Sequence, residues 1–344
     1  MASTPLFSVL INNHNYGQFL RTAIDSALAQ QASTFEPGAI EVVVVDDGST
    51  DSSSEVMTSY GDRIVSISKP NGGQDSSFNV GFSQCRGDII CFLDADDRFV
   101  PNKLAKIAEC FARSPDIGWC FHPLQLKDTR TGQTIATTRS FPGAPRNSSQ
   151  ACDFRETLRF GRLPFYPTAT SGLCFRRSLL AQILPMPETF LKTSADRYVR
   201  LAAIGLSPGY FLADALTIQG IHDHNASTLR PERPSIPERQ IVAAYLLRTQ
   251  FPTLALYANR MFCRGLNAYQ ALVKRDRTVA HKKPGYKDII RAYWQLCSIA
   301  ERTTMAFYQL YRNRPWRQQA PLNYYYFAQG TTVNMKQDTA AVKK

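Results

Sequence analysis

The chain has 344 residues, of which 44% are hydrophobic, 20% charged and 11% aromatic. That length accommodates one large or two modest domains with a buried core, and the composition excludes collagenous, low-complexity and wholly disordered proteins. No run of about 18 uninterrupted apolar residues occurs, and the amino terminus lacks a basic segment followed by a cleavage site, so we expect a cytoplasmic protein without a transmembrane helix.

The net charge of +12 is distributed unevenly along the chain. Residues 1–229 hold 20 Lys and Arg against 22 Asp and Glu, a difference of −2, whereas residues 230–344 hold 20 against 6, a difference of +14. The sequence therefore predicts a nearly neutral amino-terminal body followed by a basic region.

The first hundred residues alternate apolar strands with amphipathic helices. Strands are predicted at 7–12 (FSVLIN), 40–47 (IEVVVVDD), 63–68 (RIVSIS) and 88–97 (DIICFLDADD), and a helical stretch follows each of them. The second strand is apolar on both faces, which is typical of a strand inside a parallel sheet. This alternation predicts an α/β domain with a mainly parallel central sheet, whose ligands bind beyond the carboxyl ends of the strands.

The pattern loosens in the middle of the chain and then becomes regular again. Residues 123–170 are rich in Gly, Pro, Ser and Arg, and they predict a long loop with short strands over the site. Beyond it we predict a strand continuing into a helix at 171–180, a helix at 194–205, and one or two strands within 209–221.

Prolines and charge set the expected domain boundaries. The segment PERPSIPE (231–238) reads as a linker, and about three helices follow it. We therefore predict a nucleotide-binding domain over residues 1–229, a basic α-helical region over 230–330 and a disordered tail over 331–344.

The fourth predicted strand ends in LDADD, which places Asp94, Asp96 and Asp97 at the exit of a buried apolar segment. Carboxylates this close repel one another and resist burial unless a cation joins them, and a hard divalent cation with oxygen ligands meets that need. The alternative is a helix cap, for which one aspartate would suffice. The pattern favours Mg²⁺ or Mn²⁺ shared with a diphosphate.

Several other chemical patterns are absent from the sequence. The chain has neither GxxxxGK[ST] nor GxGxxG, which argues against a P-loop and a dinucleotide cofactor, and it lacks the HExxH and GxSxG motifs of zincins and α/β-hydrolases. Its eight cysteines form no CxxC pair, and their apolar surroundings are typical of buried free thiols. What remains is a nucleotide site whose phosphate charge is met by a metal ion.

Four segments, in this order and spacing, resemble the family 2 glycosyltransferases, which have a GT-A fold. They are SVLINNHNYGQFLRTAIDSALAQ, EVVVVDDGSTD, NGGQDSSFNVGF and GDIICFLDADD, and the resemblance extends over about residues 6–229. It implies an inverting transfer of a sugar from a nucleotide-diphosphate donor, usually UDP-linked, to an acceptor hydroxyl. The product would be a polysaccharide or a glycolipid.

Carried over position by position, the resemblance assigns the donor and metal sites. The residues expected to contact the nucleotide sugar are Asn12, Asp46, Asp47, Asn71, Asp94 and Gly172. The residues expected to bind the metal are Asp96, Asp97 and His222. Asn71 and the two glycines after it can also form a plain turn, and the segment NNHN departs from the Pro-Thr-Tyr-Asn type of sequence that is more usual in the family.

His222, Asn225 and Ser227 match an H-x-x-N-x-S pattern late in the family's catalytic domain, where the histidine can approach the metal or the diphosphate. Two other interpretations stay open. The histidine could lie on the surface, or it could chelate a transition metal together with His224.

An inverting displacement needs a general base, because the acceptor hydroxyl loses its proton as it attacks. Asp196, within SADRY, matches the family's base position at the start of a helix. The alternative is an aspartate stabilised by the helix dipole, which would lower its pKa. Arg197 and Arg200 either neutralise the diphosphate or form a solvated helix face.

Residues 282–317 combine an apolar side with Arg and Lys at both ends. They predict either a helical pair packed on the catalytic domain or an interfacial helix on an anionic membrane. The second interpretation fits a cytoplasmic enzyme that lies against the inner face of the membrane and serves a lipid-linked acceptor.

Two other classes of protein share some of these features. A basic chain with aromatic residues is compatible with nucleic-acid binding, but no such motif is present and the acidic strand ends would repel a phosphate backbone. A nucleotidyltransferase also places paired carboxylates and Mg²⁺ on an α/β sheet, but residues 11–20 lack the Lys or Arg of an early phosphate-binding loop. We therefore expect a nucleotide-sugar donor and a saccharide or lipid-linked acceptor as partners, and no nucleic acid.

Overall fold

A computed structural model describes residues 7–30, 38–138, 148–163, 168–188, 195–223, 225, 235–275 and 285–312. The strands within these residues are β1 (Phe7–Asn13), β2 (Ile40–Asp47), β3 (Val65–Lys69), β4 (Ile89–Asp94), β5 (Asp97–Phe99), β6 (Trp119–Phe121), β7 (Leu124–Asp128), β8 (Thr134–Thr137), β9 (Gln150–Cys152), β10 (Leu173–Arg176), β11 (Gly209–Phe211) and β12 (Thr217–Ile221). The helices are α1 (Gly17–Leu28), α2 (Ser53–Thr58), α3 (Gln74–Gln84), α4 (Lys103–Arg113), α5 (Arg155–Arg159), α6 (Arg177–Leu180), α7 (Ala195–Leu206), α8 (Ser235–Gln250), α9 (Ala255–Arg275), α10 (Tyr286–Leu296) and α11 (Ile299–Arg312).

The large sheet has eight strands in the order β3-β2-β1-β4-β10-β6-β11-β9. Strands β3, β2, β1 and β4 pair in parallel, and β10 pairs antiparallel with β4 and β6. Only β10 and β9 oppose the common direction, because β11 is parallel to β6 and antiparallel to β9. The expected mainly parallel α/β sheet is therefore confirmed.

Helices cover both faces of this sheet. Every residue of β2 is buried, and its side chains alternate between two apolar cores. Val42 and Val44 pack on the side of α1 and α4, whereas Val43 and Val45 pack on the side of α3 and α7. Of the eight free cysteines, seven are buried and Cys152 is half-buried, as the sequence predicts.

A second sheet, in the order β5-β12-β7-β8, lies at the end of β4. The single strand predicted over 88–97 is divided here: β4 ends at Asp94, and β5 begins at Asp97. The division arises because β5, which begins at Asp97, pairs antiparallel with β12 instead of continuing in the large sheet. Asp94 is therefore the last residue of β4 in the large sheet, and Asp97 is the first residue of β5 in the small sheet.

The basic region packs on the amino-terminal body. Its described residues form four helices, α8 to α11, where about three were predicted, and α8 begins at Ser235, inside the predicted linker 231–238. Apolar side chains of α8 and α9, such as Leu247 and Phe262, belong to the same buried core as Phe92 of β4 and Phe175 of β10. The predicted boundary at 229/230 and the predicted tail over 331–344 lie outside the described residues.

None of the described helices is both long enough and apolar enough to cross a bilayer.

Candidate active site

At the end of β2, the protein itself neutralises the carboxylate of Asp47. Oδ1 accepts hydrogen bonds from the backbone N–H of Gly72 (2.7 Å) and from Nζ of Lys69 (2.5 Å), and Oδ2 accepts one from the backbone N–H of Gly73 (2.7 Å). The ion pair with Lys69 is largely buried. Asp47 therefore fixes the turn before α3 and carries little unmatched charge.

Asp46 holds the turn that follows β2. Its Oδ1 accepts hydrogen bonds from Asn13 Nδ2 (2.7 Å) and the Ser49 hydroxyl, and its Oδ2 accepts one from the Ser49 backbone N–H (3.2 Å). The ring of His14 lies within hydrogen-bond distance of the Asp47 carbonyl oxygen (2.9 Å) and of Asn71 Nδ2 (3.1 Å). Asn71 is exposed at this edge of the sheet.

At the end of β4, the charges are arranged differently. Asp94 lies opposite Asn12 of β1 in the sheet, and the polar side chains of Asn12 and Thr170 favour its charged form and so act to lower its pKa. Burial and the charges of Asp96 and Asp196 nevertheless raise the pKa of Asp94 to about 7. This edge of the sheet therefore holds more negative charge than its neighbours neutralise.

Asp96, in the turn between β4 and β5, lies beside His222. Its Oδ2 is 3.1 Å from His222 Nε2 and accepts a hydrogen bond from Asn225 Nδ2 (3.1 Å). Asn225 also donates to the Gly220 carbonyl oxygen (2.9 Å) and accepts from the His222 backbone N–H (2.6 Å). The end of β12 thus brings the predicted His222 to the predicted Asp96. His224 and Ser227 lie outside the described residues.

Asp97 faces the protein interior. Its Oδ2 accepts a hydrogen bond from Ser171 Oγ (2.6 Å), and its Oδ1 accepts one from the Gly220 backbone N–H (3.1 Å). Ser171 Oγ in turn accepts the backbone N–H of Asp94 (3.0 Å). Burial and the charges of Asp96 and Asp94 hold the pKa of Asp97 well above the usual range. Asp97 thereby connects β4, β12 and the turn before β10.

Two residues that support this cluster were missed by the sequence analysis. One is Ser171, whose hydrogen bonds are given above. The other is Lys103, which is fully buried, and its Nζ donates to the Ser171 carbonyl oxygen (2.9 Å) and to Thr217 Oγ1 (3.1 Å). A signal for Lys103 exists in the sequence. It has the i, i+4, i+7 spacing with Ile107 and Cys110, both on the buried face of α4.

Asp196 lies in the first turn of α7 and is 28% exposed. Its Oδ1 accepts the Arg197 backbone N–H (2.7 Å), and its Oδ2 accepts a hydrogen bond from Arg200 Nη1 (3.1 Å), which also donates to the Thr168 carbonyl oxygen (2.8 Å). Burial raises the pKa of Asp196, but the charges of Arg200, Arg197 and Arg239 and the Arg197 N–H outweigh burial and lower it. Arg239 belongs to α8, so the basic region contributes charge to this residue.

Gly172 lies in the buried turn before β10. A Cβ atom there would be 2.5 Å from Thr168 Oγ1 and 2.6 Å from the His122 carbonyl oxygen, so the backbone approaches too closely for any larger residue. Packing alone accounts for this glycine, and its contact with the donor stays a prediction.

Among the described residues, no three His, Cys, Asp or Glu side chains converge closely enough to hold a metal ion by themselves. Asp96 and His222 are the predicted metal residues that the structure brings into direct contact.

Comparison with known sequences matches the chain to glycosyltransferases. The family model "Glycosyl transferase family 2" matches residues 8–183. An uncharacterized glycosyltransferase of Nostoc sp. is 31% identical over 296 residues, which is 85% of each chain. The uncharacterized glycosyltransferase EpsJ of Bacillus subtilis is 34% identical over 131 residues, which is 37% of each chain.

Comparison with solved structures addresses the fold. S. aureus TarS 1–349 in complex with UDP-GlcNAc is 17% identical, with a TM-score of 0.58 over 88% of this chain and 87% of that one. The same protein in complex with UDP is 19% identical, with a TM-score of 0.54 over 78% and 73%. The strand–helix arrangement found here is thus the GT-A fold. The family model over residues 8–183 and the Nostoc relative over 85% of the chain show that this protein belongs to glycosyltransferase family 2.

Proposed function

We propose that the enzyme transfers a sugar from a UDP-linked donor to an acceptor hydroxyl by a single inverting displacement. The observation that carries the proposal is the crowding of Asp94, Asp96 and Asp196 at one sheet edge, where Asp94 is close enough to both others for their charges to raise its pKa. In parallel α/β sheets, this edge is where ligands bind. The UDP and UDP-GlcNAc held by the TarS structures support a uridine nucleotide.

We propose that Asp96 and His222 hold Mg²⁺ or Mn²⁺, with the remaining ligands supplied by the donor's diphosphate. A carboxylate oxygen 3.1 Å from an imidazole nitrogen, beside a second carboxylate, is a donor set that suits these ions, particularly Mn²⁺. When bound, the ion would offset the negative charge that develops on the departing diphosphate.

Asp97 is the third predicted metal residue, and its place in that group stays a prediction. Because both of its oxygens accept hydrogen bonds from the protein, we assign it a positioning role as well. It holds the ends of β4 and β12 together, and therefore keeps Asp96 and His222 adjacent.

On the nucleotide side, the two carboxylates of β2 act through the loops that they fix. Asp46 holds the turn after β2, and Asp47 holds the turn before α3. The half-buried Asn12 and the exposed Asn71 border the space between these loops and Asp94. We propose that the nucleotide occupies this space, in contact with the loops and these amides.

Asp196 is proposed as the general base. Its carboxylate accepts the proton of the acceptor hydroxyl while that oxygen forms a bond to the anomeric carbon, the bond from that carbon to the phosphate oxygen breaks, and UDP departs. Arg200 and the Arg197 N–H orient the carboxylate, and its partial exposure lets an acceptor reach it. The charges of Arg200 and Arg197 lower its pKa, which keeps the carboxylate ionised and also makes it a weaker base.

Product analysis tests this proposal. The purified enzyme is incubated with Mn²⁺, a panel of UDP-sugars and candidate saccharide or lipid-linked acceptors, and the released phosphate compound is identified by chromatography. We expect UDP, together with a glycosylated acceptor of inverted anomeric configuration by NMR. Release of sugar 1-phosphate, with the uridylyl group transferred, would instead show a nucleotidyltransferase, and a retained configuration would remove Asp196 from its role.

We further propose that the outer face of α11 contacts an anionic membrane that carries a lipid-linked acceptor, which would place this cytoplasmic enzyme at the inner membrane face. Tyr293 of α10 and Met305 of α11 are buried, so both helices pack on the body. Ile299, Phe307 and Leu310 of α11 are nevertheless 83%, 68% and 69% exposed. An exposed apolar face in a region with 20 cationic and 6 acidic residues is complementary to anionic lipid.

Sedimentation with vesicles tests this contact. The protein is mixed with phosphatidylcholine vesicles, with and without phosphatidylglycerol, over a salt series. We expect binding that needs the anionic lipid, weakens with salt and is lost in Phe307→Ser/Leu310→Ser. Phe160→Ser, which removes an exposed phenylalanine outside α11, serves as the control. Binding that ignores charge and salt, or a dimer that α11 substitutions dissociate, would contradict the membrane assignment.

A further inference from the structure

We infer that Phe19 is a positioning residue that fixes the ring of His222 beside Asp96, an inference that rests on the metal role proposed above for His222. The Phe19 and His222 rings stack with their centroids 4.5 Å apart and their planes inclined by 23°. A stacked neighbour restricts rotation of the imidazole, so Nε2 stays directed at the Asp96 carboxylate.

A second aromatic ring from the same end of α1 extends this enclosure of His222. Tyr16 meets the imidazole edge-on, with centroids 5.7 Å apart and an angle of 68° between the ring planes. The His222 side chain is only 7% exposed, and its backbone N–H donates to Asn225 Oδ1 (2.6 Å). The histidine is thus contacted by two aromatic rings and held through its backbone.

The first turn of α1 is itself fixed to the loop after β2. The backbone N–H of Gly17 donates to Asp51 Oδ2 (2.8 Å), and a Cβ atom on Gly17 would lie 2.7 Å from Ser52 Oγ. Only glycine permits so close an approach of helix and loop. Phe19 therefore has little freedom to follow a displaced His222, and α1 connects the nucleotide side of the site to the metal side.

This arrangement has a measurable consequence for metal affinity. A ligand whose orientation is fixed in advance loses less freedom on binding, and contacts that support metal ligands typically change affinity by about 10- to 100-fold. We expect Phe19→Ala to weaken Mn²⁺ binding about 10-fold. Phe19→Tyr keeps a stacked ring and should restore wild-type affinity, whereas Phe19→Leu keeps apolar volume without stacking and should fall between them.

The experiment measures Mn²⁺ binding to the full chain in the presence of saturating UDP, by following free Mn²⁺ with electron paramagnetic resonance. This readout does not depend on turnover. Phe82→Ala is the matched control, because it truncates another half-buried phenylalanine, one that packs against Arg177 away from the site. Circular dichroism checks folding, and Phe19→Leu carries the test should Phe19→Ala fail to fold.

A double-mutant cycle separates the inference from the proposal beneath it. We expect His222→Ala to weaken Mn²⁺ binding, and Phe19→Ala to add nothing in that background. Wild-type Mn²⁺ affinity in the Phe19 variants, with weakened binding in His222→Ala, would overturn the role of Phe19 alone. Wild-type affinity in His222→Ala would overturn the metal role of His222 itself.

Discussion

The two acidic strand ends of the site, at β2 and at β4, resemble each other in sequence and differ in electrostatics. Asp47 of β2 is neutralised by a lysine and two backbone N–H groups. Asp94 of β4 is bordered by two further carboxylates, which together with burial raise its pKa to about 7. The comparison shows that two similar acidic strand ends can differ in how far the protein itself supplies the opposing charge.

This difference in charge predicts that the β2 end contributes mainly to stability and the β4 end mainly to ligand binding. The carboxylates at the end of β2 stabilise the loops around them, so removing them should cost folding free energy. The carboxylates at the end of β4 are crowded in the protein alone, so removing one should relieve repulsion and cost ligand binding instead. Substitutions at the two ends therefore test the comparison directly.

The largest effect is expected at Asp196, the carboxylate that belongs to neither strand end. Asp196→Asn removes the proton acceptor and should lower kcat by about 10²- to 10⁴-fold, while UDP affinity stays within about twofold. Steady-state kinetics and calorimetric titration with UDP measure the two quantities. Turnover equal to wild type would show that the base lies elsewhere.

The next effect is expected at the β4 end. Asp96→Asn should weaken UDP binding about 10- to 100-fold when Mn²⁺ is present, and should leave UDP binding unchanged when a chelator removes the metal. Thermal melting should show no loss of stability, because one of three crowded charges is removed. Asp214→Asn, at an exposed carboxylate paired with Lys106, is the control. Equal weakening with and without metal would contradict a cation site here.

At the β2 end the expected effect is on stability. Asp47→Asn leaves the largely buried Lys69 without a full counter-charge. It also places an amide N–H₂ group against a backbone N–H, so that two donors face each other. Together these changes should lower the free energy of unfolding by about 3 kcal/mol. Denaturant unfolding measures it, with Asp62→Asn at an exposed site as the control. UDP affinity should fall by the same factor whether or not Mn²⁺ is present. A loss of UDP affinity seen only with Mn²⁺ would contradict the distinction between the β2 and β4 ends.

The smallest effect is a displacement of the pH profile. Arg200 is the first of the groups that lower the pKa of Asp196, and the base works only when it is deprotonated. Replacing Arg200 by Gln should therefore raise the pKa of Asp196. As the pH is lowered, Arg200→Gln should lose activity at a higher pH than the wild-type enzyme does. Arg200→Lys keeps the charge and should retain more of the wild-type acid limb of kcat/KM. An unmoved limb in Arg200→Gln would contradict this source of the low pKa.

Much of the fold could be predicted from sequence, and the exceptions have physical causes. The strand predicted over 40–47 matches β2, because a β-branched run buried on both faces has few other conformations. The three-residue strand β6 was missed, since so short a segment shows no periodicity and depends on its neighbours for pairing, whereas β11 and β12 fall within the one or two strands predicted over 209–221. The break between β4 and β5 depends on β12, which is more than a hundred residues away.

The residues of the site also differ in whether a sequence motif reveals them. Asp94, Asp96 and His222 carry motif signals, and the structure brings them to one edge. Ser171 and Phe19 do not carry such signals, because their roles arise only from contacts with Asp97 and His222. Sequence patterns therefore identified the charged residues, whereas Ser171 and Phe19 could be recognised only from their contacts.

The sharing of one core by α8 and α7 limits how this enzyme can diversify. Arg239 of α8 contributes to the charge around Asp196, and Leu247 lies among the buried apolar side chains of the central sheet. A chimera that exchanged the carboxyl-terminal helices between relatives would therefore alter the charge around Asp196 and the packing of the central core together. The outer face of α11, where Phe307 and Leu310 are exposed, is a surface that can vary without such a change.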